Sequence, residues 1–283
     1  MAEGRLRVAA QQAGFKNISF QFEPVAASLA FEQTLHVGQE KIVLIGDFGG
    51  GTSDFTIIKL RRGVSGKESN RNILALGGIY LGGDIFDSRI MWHKIAKYFG
   101  KSVRHKSMTG QWLDMPAWIL QTLCQWHLIP QLRKKRTLAM IREIRQTADD
   151  GKLVENLENL IKDNFGYFLF QSIERAKVEL SVREESQIIF RNQRLSVKDG
   201  IKRVDFNEMI CEDVSRIKKC LERTIFDSGL VNNEIDQAII TGGTSYVPCI
   251  KRLFVDKFGE EKVRQIAAFT SVAYGLGISA DQL

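Results

Sequence analysis

The sequence predicts an α/β protein, on three observations. Residues 41–60, KIVLIGDFGGGTSDFTIIKL, read as strand, glycine loop, strand; residues 237–258 read as a buried strand, a Gly-Gly turn and a helix; and helical patterns dominate the stretch between, above all over 164–182 and 206–226. At 283 residues and 44% hydrophobic content the chain is long enough for one large domain or two medium ones with a proper core.

Composition narrows the class of protein. No uninterrupted apolar run approaches the roughly 18 residues of a membrane span, and the opening MAEGRLRVAAQQAG is too polar for a signal peptide, so the expectation is a soluble, cytoplasmic protein without a membrane partner. Cys124, Cys211, Cys220 and Cys249 form no Cys-x-x-Cys pair and are expected to be reduced, mostly buried thiols. His36, His93, His105 and His127 are equally scattered, which argues against a histidine metal or nucleophile site. The net charge of +7 is modest for the length and concentrates in Arg133-Lys134-Lys135-Arg136, Arg142 and Arg145. Such a run reads as a solvated helix face, and nucleic acid is not an expected partner because no interleaved aromatics or known module accompany it.

Taken in order, residues 6–13 suit a short helix stopped at Gly14. Residues 17–22 alternate as a strand would, and Glu23-Pro24 then hands over to a helix: proline suits a first helical turn, and Ala26, Ala27, Ser28 and Ala30 permit close packing. Glu23 thus sits at a strand-to-helix handover, a place where side chains face clefts. In the next stretch the apolar run 42–45 ends at Asp47, passes Gly49, Gly50, Gly51 and Thr52, and resumes as Phe55-Thr56-Ile57-Ile58. That second half is β-branched and aromatic without a helical stripe, so the chain turns back as a hairpin. A P-loop would need Gly-Lys-Ser/Thr opening a helix, and neither follows. Two readings of the loop stand. Its glycines can expose consecutive N–H groups to an anion, with Asp47 offering a hard oxygen to Mg²⁺ and Thr52 a hydroxyl to a terminal phosphate. Alternatively it is a long turn with glycines at positive φ.

Residues 61–70 are polar and read as a turn, 72–79 as a third strand, and 84–99 as a helix with Asp84 at its N-cap, Asp87 as an acidic partner near its positive end, and Gly100 ending it. Both aspartates are expected to be structural rather than catalytic. Trp112, Trp118 and Trp126, with Pro116 and Pro130, are expected to form a helical mini-core; exposed, they would make a partner surface. The helix over 164–182 places Glu174, Lys177 and Ser181 at i, i+3 and i+7, on one face, which is either a surface salt bridge beside a spectator serine or a ligand-binding row. Residues 187–196 read as two short strands turning at 191–193, and 206–226 as an amphipathic helix. The strand over 237–241 leads into Gly242-Gly243-Thr244-Ser245, where backbone can approach a flat ligand, then Val247-Pro248 and a helix to Phe258; the last helix spans 266–278.

In combination these motifs resemble the nucleotide-binding domain of the DnaK-like 70-kDa heat-shock chaperones, within the actin and sugar-kinase superfamily. Glu23-Pro24-Val25-Ala26-Ala27 is similar to the family's connecting motif, residues 47–54 to its second phosphate loop, Glu174-Arg175-Ala176-Lys177 with Leu180-Ser181 to its adenosine-contacting helix, and Gly242-Gly243-Thr244-Ser245 with Val247-Pro248 to its adenosine turn. The resemblance implies an actin-like ATPase (ribonuclease H-like) fold, mainly lobe II, with an enlarged helical insertion. It implies ATP or ADP with Mg²⁺ as cofactors: Glu23 and Asp47 hold Mg²⁺ through its waters, and Gly49, Gly50, Gly51 and Thr52 cradle the phosphates. Glu174 and Lys177 bind ribose hydroxyls, Ser181 meets the adenine edge, and Gly242, Gly243, Thr244 and Tyr246 line the adenosine turn. Supporting catalytic roles fall to Glu23, Asp47 and Thr52.

Departures from the family are part of the expectation. Tyr246 stands where the family carries an arginine that stacks on adenine, and Phe269 stands near an acidic position of the last motif. The insertion over 101–164 is long, and with no substrate-binding domain after residue 283 the chain looks more like the short YegD-like group than like DnaK. The resemblance begins late in the domain, so an N-terminally truncated chain is expected: residues 1–40 as the end of lobe I and a crossing helix, 41–100 and 206–283 as the lobe II core, and 101–205 as an inserted subdomain carrying the adenosine helix. Weak nucleotide binding with little hydrolysis is the first functional expectation. The second is a non-enzymatic scaffold that contacts a protein partner through the 112–136 region; a sugar kinase is a distant third.

Overall fold

The computed structural model describes residues 2–63, 70–266 and 268–281. Its opening helix α1 (Ala2–Gln12) ends before Gly14, whose φ of +95° stops it as the sequence implies. Residues 17–22 form no strand; the alternation there lacks a neighbouring edge to pair with. Next comes α2 (Glu23–Glu32), with proline in its first turn, and then the hairpin of β1 (Glu40–Phe48) and β2 (Ser53–Arg61), extended by β3 (Asn70–Ile79). Within the turn expected at 61–70, residues 64–69 lie outside the described residues, as does the side chain of Phe269.

The helix expected over 84–99 is three pieces: α3 (Gly83–Ile90), a π-helical turn over Met91–Ile95 and a 3₁₀ turn over Ala96–Phe99, closed by Gly100 at φ +89°. Gly82, not Asp84, occupies the N-cap. A small hairpin of β4 (Arg104–Lys106) and β5 (Trp112–Asp114) follows, then α4 (Ala117–Leu123), a 3₁₀ segment over Trp126–Arg133, α5 (Lys135–Thr147) and α6 (Gly151–Lys162). Helix α7 (Gly166–Glu179), the hairpin β6 (Glu185–Arg191) and β7 (Ser196–Lys202), and α8 (Arg203–Asp227) lead to β8 (Gln237–Thr241), α9 (Pro248–Phe258), β9 (Val263–Gln265) and α10 (Ala268–Asp281).

One five-stranded mixed sheet, ordered β3-β2-β1-β8-β9, organises these elements. The first three strands are antiparallel, while β8 and β9 run parallel to β1 and β8 respectively, because helices rather than tight turns connect them. Period-two alternation sends the two halves of each strand to different cores. Val43, Ile45, Ile58, Leu60 and Ile239 face α2 through Ala27 and Phe31. Leu44, Phe48, Phe55, Ile57, Ala238 and Ile240 face the other way, into a large core shared with α3, α8 and α9. There Phe48 meets Phe55 and Phe254 edge to face at 5.8 and 5.7 Å, and Phe86 meets Phe206 at 6.2 Å. Each fully buried ring contributes about 2–3 kcal/mol by burial alone.

The same core runs without a break through residues 115–161, by way of Ile119, Leu123, Ile129, Leu132, Ile141, Leu157 and Ile161. The expected tryptophan mini-core is corrected by this packing: aliphatic side chains fill it, and Trp112, Trp118 and Trp126 are 46%, 45% and 41% exposed. Buried charges are tied between elements, Glu32 to Arg71 at 2.6 Å, Asp213 to Arg89 at 2.7 Å, and Glu158 to Arg142 and Arg145 at 2.8 and 3.0 Å and to Lys162. Burial pushes the Glu158 carboxyl up, but its bonds to Lys162 and Arg142 outweigh this and hold it below the usual range. All four cysteines are free, yet only Cys124 is buried; Cys211 is exposed, which corrects the expectation of mostly buried thiols. Among the described residues no helix is long and apolar enough to cross a membrane.

Candidate functional site

Three glycine turns meet at one carbonyl. In the β1–β2 hairpin, Asp47 faces Asp54 and Phe48 faces Ser53, and the loop closes with Gly49 N donating to Thr52 O at 3.0 Å. The turn entering α3 docks on that loop: Gly83 N donates to Gly49 O at 3.1 Å and Asp84 N to Gly50 O at 2.8 Å. After β8, Thr244 Oγ1 donates to the same Gly49 O at 3.0 Å. Such closeness requires the absence of side chains. A Cβ at Gly242, whose φ is +87°, would lie 2.2 Å from Phe48 O, and one at Gly82 would lie 2.5 Å from Gly50 O.

Helix α7 joins the same knot through Lys177, whose Nζ donates to Asp87 Oδ2 at 2.8 Å and to Gly83 O at 3.3 Å. Lys177 is 8% exposed and Asp87 6%, so neither reading of Lys177 as a surface salt bridge nor of Asp87 as a helix-end acid holds. Burial pushes the Asp87 carboxyl up to about 6, with the Lys177 ammonium pulling against it. Glu174, one turn earlier, is exposed and has no ion pair among the described residues. Ser181 is not on the helix: α7 ends at Glu179, and Ser181 N bonds to Val178 O in the turn beyond.

Two cavities flank the knot. One, of about 450 Å³, is lined by Glu23, Asp47, Asp54, Gly77 and Gly78 among others. Asp47 is held above the ordinary carboxylate range first by burial, then by the charges of Glu23 and Asp54. A divalent cation would relieve that repulsion. The carboxylates of Glu23, Asp47 and Asp54 line this cavity, hard oxygens of the kind that suits Mg²⁺ keeping most of its waters; among the described residues no three His, Cys, Asp or Glu side chains stand close enough to hold a metal directly. Asp54 was not singled out from the sequence; its place opposite Asp47 depends on hairpin register. The other cavity, about 480 Å³, brings Ser181 and Tyr246 together with Val182, Ser245, Arg252 and Gln265. Ser245 is consumed locally, donating to Gly242 O at 2.7 Å and accepting from Gln265 Nε2 at 3.0 Å. Tyr246 remains 51% exposed at the rim.

The arrangement offers backbone donors around an exposed Gly50-Gly51, a carboxylate pair on one side and a hydroxyl-lined groove on the other. Exposed glycine N–H groups of this kind can take an anion, and the second cavity also carries Lys251, Arg252, Asp256 and Glu260. A family model described as Hsp70 protein matches residues 5–112 and 160–283, leaving 113–159 outside the match. Among similar curated proteins, a Chaperone protein HscA homolog of Actinobacillus pleuropneumoniae serotype 5b is 27% identical over 276 residues, covering 97% of this chain and 33% of that protein. A Heat shock 70 kDa protein of Emericella nidulans is 25% identical over 269 residues, 95% of this chain and 33% of its own length. Chaperone protein DnaK of Thermosipho melanesiensis is 25% identical over 274 residues, 95% and 36% respectively. The chain therefore spans about a third of the length of the curated relatives it matches.

Proposed function

The chain belongs to the Hsp70 family and has its α/β, actin-like ATPase fold, and from that premise we propose that it binds ADP or ATP with Mg²⁺ weakly and hydrolyses little by itself. The observation that carries this reading is the convergence of Gly49, Gly83, Thr244 and Lys177 on one hydrogen-bonded knot between two cavities. In this reading the N–H groups of Gly50 and Gly51 and the Thr52 hydroxyl take the phosphates, while Glu23 and Asp47 hold the waters of Mg²⁺. The ion, when bound, would neutralise phosphate charge. Glu174 accepts from a ribose hydroxyl; Lys177, with two of its three protons already committed, donates the third. Ser181 meets the base edge beside Tyr246, which supplies a ring but no charge. Gly242 and Gly243 let sugar and phosphate approach the backbone.

Weakness follows from openness, since Gly50, Gly51, Glu23 and Glu174 are all solvent-exposed and part of the ligand would stay in water. The division into 1–40, 41–100 with 206–283, and 101–205, the cytoplasm as compartment, and a chaperone-related role belong to the same proposal. Calorimetric titration with Mg-ADP is expected to give a dissociation constant of tens of micromolar or weaker, on the order of −6 kcal/mol. It should be lost in Gly242→Ala, where the new Cβ collides with Phe48 O. No heat at millimolar nucleotide would overturn binding; sub-micromolar affinity would overturn the weak, open site.

A second reading, a scaffold contacting a protein through the 112–136 region, is favoured by one observation: three tryptophans stand exposed in or next to the stretch that the family model does not match. Trp118→Ser with Trp126→Ser should remove partner capture and leave the Mg-ADP titration unchanged, because neither ring lies in the buried core.

A further inference from the structure

The surface formed where the 3₁₀ segment over Trp126–Arg133 crosses the start of α7 has an apolar centre and an uncompensated basic border. Gly166 permits the crossing: a Cβ there would stand 2.8 Å from Ile129 Cδ1, so the segment lies directly on the helix. Trp126 consequently meets Tyr167 at 6.4 Å, and Tyr167 meets Phe168 at 5.7 Å, in an edge-to-face series whose members are 41%, 55% and 54% exposed. Beyond Phe168 opens a groove of about 380 Å³, lined by Phe165, Ile189 and Phe190 with Arg175 and Arg191 at its rim and no acidic residue. Aromatic side chains of this size rarely stand together in water without a partner.

Charge sets the kind of partner. Arg133, Lys134, Lys135 and Arg136 are all exposed, and none of them, nor Arg175 or Arg191, pairs with a carboxylate among the described residues. Arg133 ends the 3₁₀ segment and Lys135 and Arg136 begin α5, whose first turn holds no acid and whose N-cap Lys134 makes no side-chain cap; the first acid of that helix, Glu143, lies two turns on. Cations so placed repel one another and the helix dipole, a local cost that a bound anion would remove. At about 2 Å per residue of 3₁₀ helix, the run starts roughly 14 Å from Trp126, within reach of one short peptide. Edge-to-face packing leaves a corrugated apolar surface rather than parallel ring faces, which suits aliphatic or aromatic side chains more than stacked bases.

We propose that this surface docks an acidic segment of another protein, whose large apolar side chain enters the groove beside Phe168 while its carboxylates meet the basic border. The proposal rests on the scaffold reading and names its partner's chemistry. It is tested on the full chain with a synthetic 18-residue peptide bearing leucines on one helical face and glutamates elsewhere, followed by Trp fluorescence and by anisotropy of a labelled copy. Micromolar binding is expected, weakening at least tenfold in Phe168→Ala and in Lys134→Glu with Arg191→Glu, and falling as salt rises. The charge variants touch no core side chain, so loss of binding with unchanged far-UV circular dichroism reports the surface and not the fold. Binding that needs Phe168 but ignores both charge reversal and salt would keep a scaffold surface and overturn its acidic partner. Tighter binding of a 12-nucleotide oligouridine, or of anionic lipid vesicles, would also overturn it, and no binding of any probe overturns both.

Discussion

Lys177 shows what a single residue's surroundings decide. From spacing it stood in a row with Glu174 and Ser181, yet its ammonium is committed to Asp87 and Gly83, residues about 90 positions away in the chain. The pairing has a pH signature. With Asp87 raised by burial from 3.8 to about 6, the folded chain keeps a proton that the unfolded chain has released throughout that window. Native protein binding more protons means stability falls as pH rises from about 4 to about 6 and is level above, by at most about 3 kcal/mol. Thermal unfolding of Asp87→Asn should lose this slope between pH 4 and 6; an identical slope in the variant would show that Asp87 does not titrate there. Thr244 repeats the lesson. Its hydroxyl, expected beside the ligand, holds the hairpin carbonyl of Gly49, so its effect on a ligand is exerted through the loop.

Elements were legible to the degree that their own residues stabilise them. The β1–β2 hairpin, β8, α8 and α9 follow from alternation, β-branching and helical stripes, and glycines 14 and 100 stop helices where left-handed φ is needed. Residues 17–22 failed as a strand because alternation supplies a face and not a partner edge. The helix over 84–99 failed as one piece: its apolar residues follow the core, and the backbone changes pitch to keep them there. Pairing of α2 with α10 was invisible locally. It depends on Gly275, where a Cβ would stand 1.8 Å from Ala26 O. Gly275→Ala should therefore separate the two helices although alanine favours helix, and hydrogen exchange should speed up along α10 while β1 and β8 stay protected. Unchanged exchange in α10 would show that the contact is not what holds it.

Across the whole molecule, one core joins the sheet to residues 115–161, even though residues 113–159 fall outside the family match. A shared core predicts shared unfolding. In a Trp92→Phe background, which leaves Trp112, Trp118 and Trp126 as the tryptophans, fluorescence and far-UV circular dichroism should report the same midpoint in urea; an earlier fluorescence transition would mean that the 101–164 stretch melts by itself. Taken alone, the sequence determined the α/β class, the order of motifs and the chemistry each could offer, because periodicity, glycine placement and side-chain type are local properties. Tertiary structure alone decided that Asp54 faces Asp47, that Asp87 holds Lys177, that three glycine turns share one carbonyl, and that the tryptophans lie outside the core. Those are contacts between residues far apart in the chain, set by strand register and by which surfaces exclude water, and no window of neighbouring residues contains them.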